Sequence, residues 1–161
     1  MIAPLVLGGF AWLWYWLLLP IQLFLQRFAL LLNDPHVDFS FLRIFSRNSS
    51  VTGRYHGRTV IVLIQRPIED SLGFVRVSMT TSARGGEPWK DSTLTMKNAD
   101  ISRATFELEG RYEMILALDD GWFHATWRPR SEWRFPGRFD EARWRRALEE
   151  MSALVAWMER R

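Results

Sequence analysis

The chain has 161 residues, no cysteine, and a formal net charge of +3 from 21 Lys and Arg against 18 Asp and Glu. That length suits one globular domain with a short appendage, and the missing cysteine excludes disulfides, thiolate metal sites and cysteine nucleophiles. Beyond residue 32 the balance is 20 basic residues (the 21 less Arg27) to 18 acidic, which argues against the pronounced basic face that nucleic-acid binding needs.

Residues 1–32 predict a retained transmembrane anchor. Met1 to Gln26 carry no charged side chain, and a helix of roughly 20 apolar residues crosses a bilayer core. Pro4 fits a first helical turn, whereas Pro20 predicts a kink. Ile21, Leu23, Phe24, Leu25, Phe28, Leu30, Leu31 and Leu32 keep the later part apolar, with Gln22, Gln26 and Arg27 as a polar edge. Asn33-Asp34-Pro35 ends it. A cleaved signal peptide fits poorly, because no basic residue precedes the run and the run is too long. Arg27, Arg43, Arg47, Arg54 and Arg58 follow it, so the positive-inside rule places the N-terminus outside and the C-terminal domain in the cytoplasm.

Trp12, Trp14, Tyr15 and Trp16 fall near the middle of this run, where an interfacial belt is not expected. Either the span is shifted so that they mark an interface, or they pack against another membrane helix, a lipid or a pigment-like cofactor. Gly8 and Gly9 would allow a close helix approach beside them. The six residues form a predicted membrane-partner packing site.

Residues 33–48 read as an apolar juxtamembrane linker, and residues 49–128 as an antiparallel sheet of about seven short strands. Ser50 to Tyr55 and Thr59 to Gln65 flank a His56-Gly57 turn, and the continuously apolar Val60 to Ile64 predicts a buried strand. Gly73 to Thr81, Thr93 to Lys97, Arg103 to Glu109 and Tyr112 to Leu118 alternate. Asp119-Asp120-Gly121 is a hairpin signal leading to Trp122–Trp127. The spacing predicts a meander.

In residues 129–161 the period changes. Asp140 is a plausible N-cap for a helix running to about Glu159, with Trp144, Leu148, Met151, Val155 and Met158 on one stripe. Glu141 with Arg145, and Arg146 with Glu150, are spaced to pair. The fold class is therefore α+β, a transmembrane helix followed by a meander closed by a C-terminal amphipathic helix. From Ser50 to Glu159 this order is similar to the pleckstrin-homology-like roll, a resemblance of architecture with no motif behind it. The resemblance implies phosphoinositide or peptide binding, which fold alone does not establish.

The sequence contains no Gly-rich phosphate loop, nucleophile elbow or metalloprotease helix. His36, His56 and His124 are scattered, and Asp34-Pro35-His36-Val37-Asp38 reads as a helix stop followed by a solvated turn. The predominance of arginine, with Lys90 and Lys97 the only lysines, fits either codon bias or guanidinium forks that hold carboxylates or phosphates. The richest stretch contains Arg128, Arg130, Trp133, Arg134, Phe135 and Arg138, a predicted surface interface for anionic lipid or a partner. These features predict a non-catalytic, membrane-anchored accessory subunit of an integral membrane complex, respiratory or photosynthetic, with a membrane-surface lipid- or peptide-binding module as the alternative. No cofactor or metal is predicted beyond pigment or lipid contact at the aromatics, and no nucleic-acid partner.

Overall fold

In the computed structural model the residues described are 8–9, 12, 18–38, 48–65, 73–82, 107–112, 114–119, 121–127 and 139–160. The fold is α+β. Helix α1 (Leu19–Ala29) leads into strands β1 (Asn33–Asp38), β2 (Asn48–Tyr55), β3 (Arg58–Gln65) and β4 (Phe74–Thr80). After a helical segment at residues 107–112 come β5 (Met114–Asp119), β6 (Trp122–Trp127) and helix α2 (Glu141–Glu159). The strands form one antiparallel six-stranded sheet in the order β1-β2-β3-β4-β6-β5.

Local chemistry explains most of these elements. His56 and Gly57 both adopt positive φ, 48° and 79°, which matches the right-handed twist of the β2–β3 hairpin. Gly121 at φ 76° closes the β5–β6 hairpin. Asp34, at φ 50°, sits where the β1–β2 register shifts between Asn33 and His36, an extra residue taken up as a bulge. Asp140 caps α2 by accepting from the Arg143 N–H at 3.0 Å.

One face of the sheet carries the core. Val60, Val62 and Ile64 of β3, Val75, Val77 and Met79 of β4, and Phe123 and Ala125 of β6 are buried beneath Trp144, Leu148, Met151, Val155 and Met158 of α2. The predicted helix stripe is thus the observed one. The continuously apolar Val60 to Ile64 is not buried throughout, since Ile61 and Leu63 are half-buried on the opposite face.

Helix α1 corrects the sequence reading most. Ile21, Phe24, Leu25, Phe28 and Ala29 are buried, spaced one and two turns apart on a single face, while Gln26 and Arg27 are exposed. This face lies against β1 and β2 and touches α2. One face of residues 18–32, expected in a transmembrane anchor, therefore belongs to the domain's core, while Leu23 and Leu30 are exposed. Among the described residues no helix is long and apolar enough to cross a membrane. Pro20 occupies the first turn of α1, where its missing N–H costs no helical bond.

Three further expectations change. Asn33–Asp38 is an edge strand, not a linker, because β2 offers it a full ladder. Residues 107–112 are helical, where the alternation predicted strand; Glu109 from this segment accepts the Leu116 N–H at 2.9 Å and so covers a backbone donor on the β5 edge. The meander is broken, because β4 pairs with β6 and β5 lies outside it. The predicted strand Thr93 to Lys97 falls outside the described residues.

Gly53 of β2 lies close against Leu32 and Asn33, where the chain passes from α1 into β1. A Cβ there would lie 2.8 Å from the Leu32 Cβ and 3.0 Å from the Asn33 carbonyl oxygen. Gly53→Ala should lower stability by about 1–3 kcal/mol through overpacking. Phe28→Ala should cost about 3–5 kcal/mol by opening a cavity, while Trp12→Ala, at a 65 % exposed ring, should leave the thermal midpoint of the full chain unchanged in calorimetry. Equal effects of Phe28→Ala and Trp12→Ala would contradict the burial of α1.

Candidate functional site

The sequence-predicted sites divide by what the structure describes. Gly8, Gly9 and Trp12 are helical and exposed, and among the described residues no atom beyond the glycines' chain neighbours and own helix backbone lies within 4 Å of a Cβ built on either glycine. Trp14, Tyr15 and Trp16 fall outside the described residues, as do Arg128, Arg130, Trp133, Arg134, Phe135 and Arg138.

The flanks of that arginine-rich stretch are described, and they converge. Trp127 ends β6 and meets Trp144 edge to face, with ring centroids 6.1 Å apart. Phe139, at the other flank, meets Phe24 at 5.2 Å and Phe28 at 6.1 Å. Phe24 and Phe28 in turn contact Trp144 at 5.6 and 5.3 Å. The residues bounding segment 128–138 are thereby held in one aromatic cluster with the helix that continues the apolar N-terminal run. Edge-to-face pairs contribute about 0.5–1.5 kcal/mol each beyond their area.

Beside this cluster lies an open cleft of about 400 Å³ lined by Gly110, Arg111, Tyr112, Arg143 and Arg146. The first turns of α2 position Arg143 and Arg146; the helical segment at 107–112 positions Arg111. Arg143 donates to the Tyr112 carbonyl at 2.6 Å, and its guanidinium lies 5.6 Å from the centroid of the Trp127 ring. Arg111 donates through Nη1 to both Glu150 carboxylate oxygens at 2.7 Å, and the Tyr112 hydroxyl donates to Glu150 at 2.9 Å. Glu150, predicted to pair with Arg146, is thus engaged from across the cleft. Arg146 instead donates Nε to the Ala142 carbonyl at 3.3 Å. Burial, and after it the bond to Glu150, raises the Tyr112 hydroxyl above its usual pKa. The predicted pair Glu141–Arg145 forms at 2.7 Å.

On the sheet face away from the core, Ser78 and His124 are cross-strand partners, with Oγ and Nδ1 2.8 Å apart. Arg76, one row along, donates Nε to Thr126 at 3.3 Å and lies over the Phe74 ring. Burial pushes the His124 imidazole below its usual pKa, and the Arg76 charge adds to this. Ser78 is 8 % exposed. The pair satisfies a buried hydroxyl and a half-buried imidazole across the ladder.

Glu159 anchors the end of α2. Arg58 reaches it with both terminal nitrogens, Nη1 to Oε1 at 2.7 Å and Nη2 to Oε2. The Thr81 hydroxyl and the Ser82 N–H donate to the same carboxylate at 3.1 and 2.8 Å. These donors, Arg58 first, hold its pKa at about 2 against an ordinary 4.5. Among the described residues no group of His, Asp and Glu is placed to hold a metal ion.

Sequence reasoning missed the Arg111–Arg143–Arg146 cleft because its members come from two elements 32 positions apart, one of them expected to be a strand. The spacing of Arg143 and Arg146 on the predicted helix was the available signal. Comparisons with protein-family models, with curated proteins and with solved structures find no match for this chain.

The depressed Glu159 pKa carries a sign. Its stabilisation is fully present above the unfolded carboxyl value near 4.5 and is lost as pH falls toward about 2. Glu159→Gln should flatten this part of the acid-unfolding profile and cost about 1–2 kcal/mol at neutral pH, read by thermal denaturation across the range. An unchanged acid limb in the variant would show that Glu159 is not the group responsible.

Proposed function

We propose that this protein is a non-catalytic accessory subunit that docks on a larger membrane protein complex, with its α+β domain held at the cytoplasmic face. The observation that carries the reading is the way the uncharged N-terminal run enters the fold. Its later part enters helix α1, one face of which packs into the core through Ile21, Phe24, Leu25 and Phe28. The part before Leu18 keeps the same uncharged composition, and its described members Gly8, Gly9 and Trp12 are exposed. Large exposed aromatics in an uncharged apolar segment are stabilised by a lipid or protein surface and disfavoured by water. Helix α1 itself is fixed by the core through Ile21, Phe24, Leu25 and Phe28, so the proposed docking segment adjoins a helix packed on the sheet.

The docking reading favours a role in positioning or stabilising a partner, in an energy-transducing assembly among others. Trp12, Trp14, Tyr15 and Trp16 are the residues proposed to meet a membrane helix, a lipid or a pigment, with Gly8 and Gly9 allowing the approach. The arginine-rich segment 128–138, flanked by Trp127, which meets Trp144, and by Phe139, which meets Phe24 of α1, is proposed to contribute charge to the same docking function.

Mild-detergent solubilisation of the tagged full chain should recover it in a high-mass assembly. Replacing Trp12, Trp14 and Trp16 together by alanine should release it from that assembly while leaving its thermal midpoint intact, because Trp12 makes no core contact. Migration of the wild-type protein as a lone monomer would count decisively against this function.

A further inference from the structure

We infer that the cleft formed by Arg111, Arg143 and Arg146 is a binding site for a phosphomonoester dianion, presented either by a phospholipid head group or as a free phosphate. Three guanidinium groups line one open cleft of about 400 Å³, and like charges gathered in this way repel unless an anion lies among them. Glu150 supplies one negative charge, and it is held by the Nη1 of Arg111 and by the Tyr112 hydroxyl. Glu107 acts on Arg111 from farther off. Among the described residues the Arg143 and Arg146 side chains donate only to the Tyr112 and Ala142 carbonyls, which are neutral. Two positive charges thus have no bonded counter-charge among the described residues.

The donor geometry fits phosphate. Arg146 uses Nε on its own helix, so both of its terminal nitrogens remain available. Arg143 uses Nη2 on the Tyr112 carbonyl and is fixed in orientation by the Trp127 ring, which leaves its other terminal nitrogen as a donor held in place. Guanidinium forks of this kind match the oxygens of a phosphate, and each fixed donor loses less entropy on binding than a free arginine. A dianion balances the two uncompensated charges; a single carboxylate balances one. Gly110 at the cleft wall is exposed, and among the described residues nothing outside its own helix backbone and chain neighbours lies within 4 Å of a Cβ built there.

The inference goes beyond the docking function and fails separately from it, because phosphate recognition in detergent micelles needs no partner complex. The test is calorimetric titration of the full chain in nonionic micelles with inorganic phosphate, dioctanoyl phosphatidic acid and dioctanoyl phosphatidylcholine. The first two should bind saturably and more weakly as salt rises, and phosphatidylcholine, which lacks a phosphomonoester, should not. Arg146→Gln, at an exposed residue with no core role, should weaken binding about tenfold, and adding Arg143→Gln should abolish it. Arg145→Gln, which removes a neighbouring arginine already paired with Glu141, should bind as wild type. Phosphatidic acid binding well above inorganic phosphate identifies a lipid head group as the source; equal affinities identify free phosphate. Absence of saturable binding to either probe, or binding that survives Arg146→Gln unchanged, would overturn the assignment.

Discussion

The contact on which the rest of the structure depends is the packing of Phe24 and Phe28 against Trp144. These rings join the N-terminal helix to the C-terminal helix over the same face of the sheet. Trp127 and Phe139 extend the cluster to the end of the last strand and to the entry of α2. Without α1, buried residues of β2 such as Val51 would lose cover, and just beyond the helix Leu32 packs against Gly53, whose missing side chain permits the close approach. The two ends of the chain are therefore one packing unit, and the sheet is the surface that brings them together.

That arrangement alters what an apolar N-terminal run means. Water expels the whole run, but the expulsion is satisfied in two ways. From Leu18 onward the domain itself supplies apolar surroundings to one helix face, while Leu23, Gln26, Arg27 and Leu30 are exposed on the other side. Before Leu18, the described residues have no such cover. The proposed docking function grows from that division between a helix face packed in the core and the exposed Gly8, Gly9 and Trp12.

Charge follows a comparable logic. Glu159 gathers Arg58, Thr81 and Ser82 to fix the far end of α2, and Glu150 gathers Arg111 and Tyr112 at its middle. Both carboxylates bind groups distant in sequence, so they orient α2 across the sheet while its apolar stripe supplies most of the stabilisation. The arginines left over face the cleft, where the charge excess gives the surface a chemical preference.

The sequence by itself determined the α+β class, the hairpins at His56-Gly57 and Gly121, the Asp140 cap and the buried stripe of α2. Each of these follows from neighbours within a few positions, through turn φ angles, capping and helical period. It did not determine where α1 packs. The spacing of Ile21, Phe24, Leu25 and Phe28 was visible, but an apolar helix face has the same pattern whether its partner is lipid, another chain or its own sheet. Only the tertiary structure decided that, together with the pairing of β4 with β6, the helical turn at 107–112 and the convergence of Arg111 on Arg143 and Arg146. All four depend on contacts between distant residues, which local propensity does not encode.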